Sequence, residues 1–155
     1  MKRSAAVGLL ALCLVAAAGA LARGPVPFRT IAVGGESNAV GARAANVVVR
    51  DLAAWRQLWR QLHAGETPRP ALPRVNFARH MLIAVRQGLT SSGGYDMRVT
   101  SIVDDGRRLR VTVDVSAPGP DCVTPAVITG PYHVVRTRRS AKRAVFARRV
   151  TVYDC

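Results

Sequence analysis

The side chains able to do chemistry in this 155-residue chain are few, and their spacing does not assemble a reaction centre. Three histidines are present, His63, His80 and His133. None falls in H-E-x-x-H or another metal-ligand spacing, so a structural or solvated role is expected for each. Ser91 and Ser92 have no G-x-S-x-G elbow around them and no paired base in the sequence. Only the fold could bring a distant Ser and His together as a hydrolase. Asp104 and Asp105 precede Gly106 in a tight-turn signal, which accounts for both carboxylates without acid/base work. The expectation is therefore no enzyme, no cofactor and no metal site.

The chain instead carries a contact-like loop. Residues 81–103 run MLIAVRQGLTSSGGYDMRVTSIV. An apolar segment enters a loop holding Gly88, Ser91, Ser92, Gly93 and Gly94, and the chain leaves through Tyr95 as an alternating strand. Backbone N–H groups of such a loop could cradle an anion. The loop does not match a phosphate loop, however, and it leads into a strand where that loop leads into a helix. It reads either as a connector between two strands or as a contact loop presenting Tyr95.

The N-terminus reads as an export signal. Lys2 and Arg3 precede an apolar core at 5–18, and small residues around 18–22 fit a cleavage site. The apolar run is short for a membrane span, which needs about 20 residues. Leu12 stands before Cys13 where a lipobox has a small residue, so lipidation is not expected. The product would be periplasmic or secreted, with no membrane tether after cleavage. Cys122 and Cys155 remain, and an oxidising compartment favours a disulfide between them. Two separate reduced thiols are the alternative. Cys155 is the last residue, so the bond would pin a terminal strand.

The formal net charge is +14, of which Lys2 and Arg3 leave with the leader. Nearly all remaining cations are Arg; Lys142 is the only other Lys. Such basicity suggests an anionic partner. Export makes nucleic acid a poor candidate, whereas an acidic protein or an anionic envelope surface fits the compartment. A compositional bias that spreads Arg over any solvated face is the plainer account.

These residues must be positioned by a small set of elements. Pro25 and Pro27 keep 23–29 extended, and 30–33 and 47–50 are strand candidates. Asp51 is a strong N-cap, and Leu52, Trp55, Leu58, Trp59 and Leu62 share one helical face. Gly65, Pro68 and Pro70 end that helix, and its tryptophans are expected in the core. The apolar 81–85 segment and the hairpin 95–115 are strands, the latter with alternating faces. Further strands are expected at 125–129, 132–137 and 144–153, with the basic run 136–143 as a hairpin tip. One helix among many strands gives an α+β class, with a mainly antiparallel β-sheet and one amphipathic helix packed on it.

Taken together, several motifs resemble one family. Trp55-x-x-x-Trp59, Asn76-Phe77, the loop from Gly88 to Tyr95, Met97-Arg98-Val99 and Pro131-Tyr132-His133-Val134-Val135 occur in this order. They resemble the C-terminal domain of the protease complex subunit PrcB family over about residues 45–140. The resemblance implies an exported, non-catalytic accessory protein that assembles with or stabilises an envelope or secreted protease. With the export signal, the chain divides into a signal peptide (1–22), an extended lead-in with a first strand (23–44) and a PrcB C-terminal-like domain (45–155). Its signature positions are Gly93, Gly94, Tyr95, Pro131, Tyr132 and His133. With Gly88 and Ser92 these form the candidate partner-binding set. Ser92 stands where Thr is usual in the family, and the lipobox of a surface lipoprotein is missing. Two other classes remain. A chagasin-like cysteine protease inhibitor would use the Ser-Gly-Gly-Tyr loop, although that family's companion loops are not found. A binder of anionic envelope polymer would use the arginines.

Overall fold

The computed structural model describes residues 23–35 and 43–155. The expected signal peptide lies outside the described residues. Eight strands and one helix follow in the order β1 (Gly24–Pro25), β2 (Phe28–Gly34), β3 (Ala45–Val49), α1 (Leu52–Leu62), β4 (His80–Arg86), β5 (Asp96–Asp104), β6 (Arg108–Pro118), β7 (Tyr132–Arg138) and β8 (Arg143–Tyr153). The α+β class holds, with two sheets in place of one. The first has the order β1-β5-β6-β8 and the second β2-β7-β4-β3.

Apolar periodicity explains the layering. β5 and β6 alternate, so Met97, Val99, Ile102, Leu109, Val111, Val113 and Val115 point inward from the first sheet. They meet Met81, Ile83, Val85 and Val135 of the second. The other face of the second sheet carries Leu82, Ala84, Tyr132 and Val134, which pack under α1. β4 is thus apolar on both faces, as its unbroken MLIAV run requires of a strand buried on two sides.

α1 forms where the caps and spacing place it. The Asp51 carboxylate accepts the Ala54 N–H at 2.8 Å. Trp55, Leu58, Trp59 and Leu62 are buried. Leu52 stays exposed in the first turn, although it shares their spacing. The two indole N–H groups donate to Pro73 O (3.0 Å) and Pro70 O (2.9 Å). Prolines lack an N–H but keep a carbonyl, so the tryptophans hold the proline-rich segment across the helix. His63 caps the C-terminus by its backbone N–H, and its ring meets Glu66 Oε1 at 2.8 Å.

Three sequence expectations change. β8 lies parallel to β6, with Arg108 beside Arg143 and Val115 beside Val150. The basic run 136–143 is therefore not a hairpin tip: it ends β7 in the second sheet, crosses at 139–142 and opens β8 in the first. Residues 125–129 form no strand; only Thr129 makes an isolated bridge, to Thr90. Val127 and Ile128 are β-branched but exposed, so no buried face draws them into a sheet. Among the described residues no helix is long and apolar enough to cross a membrane.

Trp55 is fully buried under the second sheet. Trp55→Ala is expected to cost about 3–5 kcal/mol, whereas Leu52→Ala at an exposed position should stay within about 0.5 kcal/mol. Urea denaturation of both variants measures the contrast.

Candidate functional site

The Gly/Ser loop does not stand alone. Its backbone is bound to the segment between β6 and β7. Thr90 and Thr129 exchange both backbone hydrogen bonds, at 2.7 and 3.1 Å. Their hydroxyl oxygens lie 2.6 Å apart, and each is 3.0 Å from the Ser92 carbonyl. The Gly93 N–H donates to Pro125 O at 2.9 Å, and the Gln87 N–H to Pro131 O at 2.9 Å. Two long loops are thereby joined into one platform at one end of the sandwich.

The glycines are required by that closeness. Gly88 and Gly94 have φ of 90° and 88°, in the left-handed region that favours Gly. A Cβ on Gly94 would come 2.8 Å from the Tyr153 hydroxyl oxygen, which donates to the Gly94 carbonyl at 2.9 Å. Gly93 is buried, and a Cβ there would press on Pro125 at 3.3 Å.

The C-terminus completes the platform. The Gly119 N–H donates to Tyr153 O at 2.9 Å. Cys122 and Cys155 form a disulfide, with a Cα–Cα distance of 5.2 Å and a sequence separation of 33. This pairing is the one expected from an oxidising compartment. It ties the 119–131 loop to the end of β8. Opening both sulfurs by a Cys122→Ser/Cys155→Ser double substitution should cost about 3–4 kcal/mol for a loop of this size. Thermal unfolding with and without reductant measures it.

The candidate residues separate by exposure. Gly94 is exposed, and Ser92 and Tyr95 are half-buried. Gly88, Gly93, Pro131, Tyr132 and His133 are buried. Tyr132 packs under α1 with its ring edge-on to His63, centroids 6.1 Å apart. Burial, then Glu66, pushes its phenol pKa up. Pro131, Tyr132 and His133 thus face the interior and offer no side chain to a partner. The exposed apolar groups of the platform are others. Leu89 is 40% exposed, Val127 46%, Ile128 64% and Val123 fully. Sequence reasoning missed the 119–130 loop because Val127 and Ile128 look like a strand. The Pro118-Gly119-Pro120 break beside them was the available signal.

His133 has an internal task. Its Nδ1 accepts the Val99 N–H at 2.9 Å, so the ring proton sits on Nε2 and is donated to Thr30 Oγ1, also at 2.9 Å. Val99 lies at the register shift of β5 and Thr30 at that of β2. One imidazole therefore satisfies the amide freed by a bulge in one sheet and links it to a bulged strand of the other. Both ring nitrogens are engaged in this way.

Burial, then the nearby Arg98, holds the His133 pKa below its ordinary value, against a smaller pull from Asp96. The unfolded chain takes up this proton near pH 6.5, whereas the folded chain resists it to lower pH. The neutral ring therefore contributes stability above about pH 6.5, and the contribution is lost as pH falls below that. The melting temperature should drop between pH 7 and pH 5 more steeply in the native protein than in His133→Asn, which has no titrating ring. Equal slopes in the two proteins would remove His133 from this role.

Residues 81–138 match the family model described as PrcB C-terminal. Over that stretch the chain is similar to the PrcB C-terminal family. The matched stretch runs from β4 to β7 and contains both loops of the platform. No curated protein and no solved structure matches the chain. Among the described residues, no group of three or more His, Cys, Asp or Glu side chains could hold a metal ion.

Proposed function

We propose that this protein is an exported, non-catalytic accessory subunit that docks a protease, or a protein held with it, on the platform of the 88–95 and 119–130 loops. The observation that carries the reading is a rigid apolar surface. Leu89, Val127 and Ile128 are exposed. Their backbones are fixed by the reciprocal Thr90–Thr129 bridge. Apolar groups held in place lose little conformational freedom on binding, which favours docking over mere exposure. The PrcB match supplies the class of partner.

The leader-like N-terminus and the Cys122–Cys155 disulfide support export. A non-catalytic role is supported by the chemistry of His133, whose acceptor nitrogen is already taken by a backbone amide. Ser92 belongs to the loop that the two threonines hold, and its carbonyl accepts from both of their hydroxyls. Tyr95, at the loop exit, lends a half-buried aromatic edge to the rim, a residue type common at interface anchors.

The test is purification of the native complex from the producing cell under non-denaturing conditions, followed by variants of the platform. An exported protease should co-purify with the wild-type chain. Leu89→Asp/Ile128→Asp should lower its recovery at least about tenfold, since two buried apolar contacts are replaced by desolvated charges. Tyr95→Ala should lower it less. Undiminished recovery with the double variant, at unchanged melting temperature, would move the interface elsewhere.

A further inference from the structure

The opposite end of the first sheet carries a different surface. β5 and β6 join there through Asp105 and Gly106, and β8 begins beside β6. Arg23, Arg107, Arg108, Arg110 and Arg143 line an open groove of about 770 Å³ with Asp105 as its carboxylate. Asp105 is already committed. It accepts the backbone N–H groups of Arg107 and Arg108, and its other oxygen accepts from Arg108 Nε (3.1 Å) and Arg110 Nε (2.9 Å). Its neighbour Asp104 is taken by Lys142 at 2.6 Å and by the Gly106 N–H. No described carboxylate pairs with Arg23, Arg107 or Arg143.

This concentration is unlike the rest of the sheet. Arg149 is held by both oxygens of Asp114, at 2.6 and 2.9 Å, and Arg98 pairs with Asp96 at 3.3 Å. In the groove the register works against stability. Arg108 and Arg143 are direct neighbours across the β6–β8 pair and share its outer face. Like charges placed so repel and destabilise a sheet. An anion lying between them would turn that repulsion into attraction. Guanidinium forks suit oxyanions that accept two hydrogen bonds at once. Three uncommitted guanidiniums in one groove exceed what a lone carboxylate could neutralise.

We propose that this groove binds a multiply charged phosphate group, with Arg107, Arg143 and Arg23 as its ligands and Arg108 and Arg110 behind them. The site is separate from the loop platform and does not depend on that reading. The phosphate could belong to a lipid headgroup or to a soluble phosphoanion, and the chemistry of capture is the same.

The probes are inorganic tripolyphosphate, vesicles of phosphatidic acid with phosphatidylcholine, vesicles of phosphatidylcholine alone, and poly-glutamate. The protein is the full processed chain at about 50 mM salt, where the Debye length is longer than the roughly 10 Å found at 0.1 M. Tripolyphosphate, the anionic vesicles or both should bind, with affinity falling steeply as salt rises. Arg107→Gln/Arg143→Gln should weaken this at least about tenfold, the scale of one charge-assisted hydrogen bond lost. Arg56→Gln/Arg60→Gln removes the same charge from the exposed side of α1, beyond the second sheet. That variant should change the affinity less than threefold. Binding to vesicles only identifies a headgroup; binding to tripolyphosphate identifies a soluble ligand. A second readout concerns strain: without phosphate at low salt, Arg143→Gln should melt at a higher temperature than the native chain.

Absence of binding to both phosphate probes would overturn the proposal. So would an equal loss in the helix variant, which would make the attraction a matter of net charge. Tighter capture of poly-glutamate would assign the groove to an acidic protein, and a lower melting temperature for Arg143→Gln would remove the argument from repulsion.

Discussion

β4 has no solvent face, and the architecture follows from that. Met81, Ile83 and Val85 must meet apolar surface on one side, and Leu82 and Ala84 on the other. A single antiparallel sheet with one helix covers only one side. The first sheet, of β1, β5, β6 and β8, supplies the other cover. Burying each large apolar side chain contributes roughly 1.5–3 kcal/mol, so leaving either face of β4 open would be too costly for a domain of this size. Polar chemistry is consequently driven off the central strands to the ends of the sandwich and to the outer face of the first sheet.

His133 is the exception, and it shows the conditions under which a polar group survives there. β7 lies beside β4 and shares its burial. A buried donor or acceptor without a partner costs about 1–3 kcal/mol. The ring avoids this by giving one nitrogen to the amide of Val99 and the other to Thr30. Each partner lies at a register shift, where a strand leaves its ladder. The bulges and the histidine therefore explain one another. The Pro-Tyr-His-Val-Val segment fills the interior, with Tyr132 wedged against Gly34, where a Cβ would come within 2.7 Å of its ring.

Local pattern made much of this legible. The period of Trp55, Leu58, Trp59 and Leu62 located α1, and Asp51 located its start. Alternation located β5 and β6, and the Asp-Gly pair located their turn. Compartment and count suggested the disulfide. What pattern leaves out is which strand lies beside which. Alternation reports that one face is buried, not what covers it. For that reason the second sheet, the parallel β6–β8 pair and the crossover at 139–142 were beyond reach. The same limit hid the cationic groove, because Arg108 and Arg143 become neighbours only through that parallel register. The Gly/Ser loop is legible in the sequence, but the loop bonded to it carries the apolar pattern of a strand. Within the candidate set, sequence motif could not separate Tyr95, which reaches the surface, from Tyr132, which fills the core.

The two ends of the first sheet are built on opposite physical terms. The loop platform lies within the stretch that matches the PrcB model, and its exposed groups are apolar. Contacts of that kind persist, or strengthen, as salt rises. The groove takes Arg23 and Arg143 from outside the matched stretch, and its attraction decays over a Debye length. β8 spans both, since its first residue lines the groove and its last is tied to Gly94 and Gly119. A strand bonded along eleven register positions to β6 fixes the distance between the two surfaces. A partner held at the platform would therefore sit at a set distance from any anionic surface that the groove engages. That rigidity, and not a moving part, is what this fold offers to an assembly.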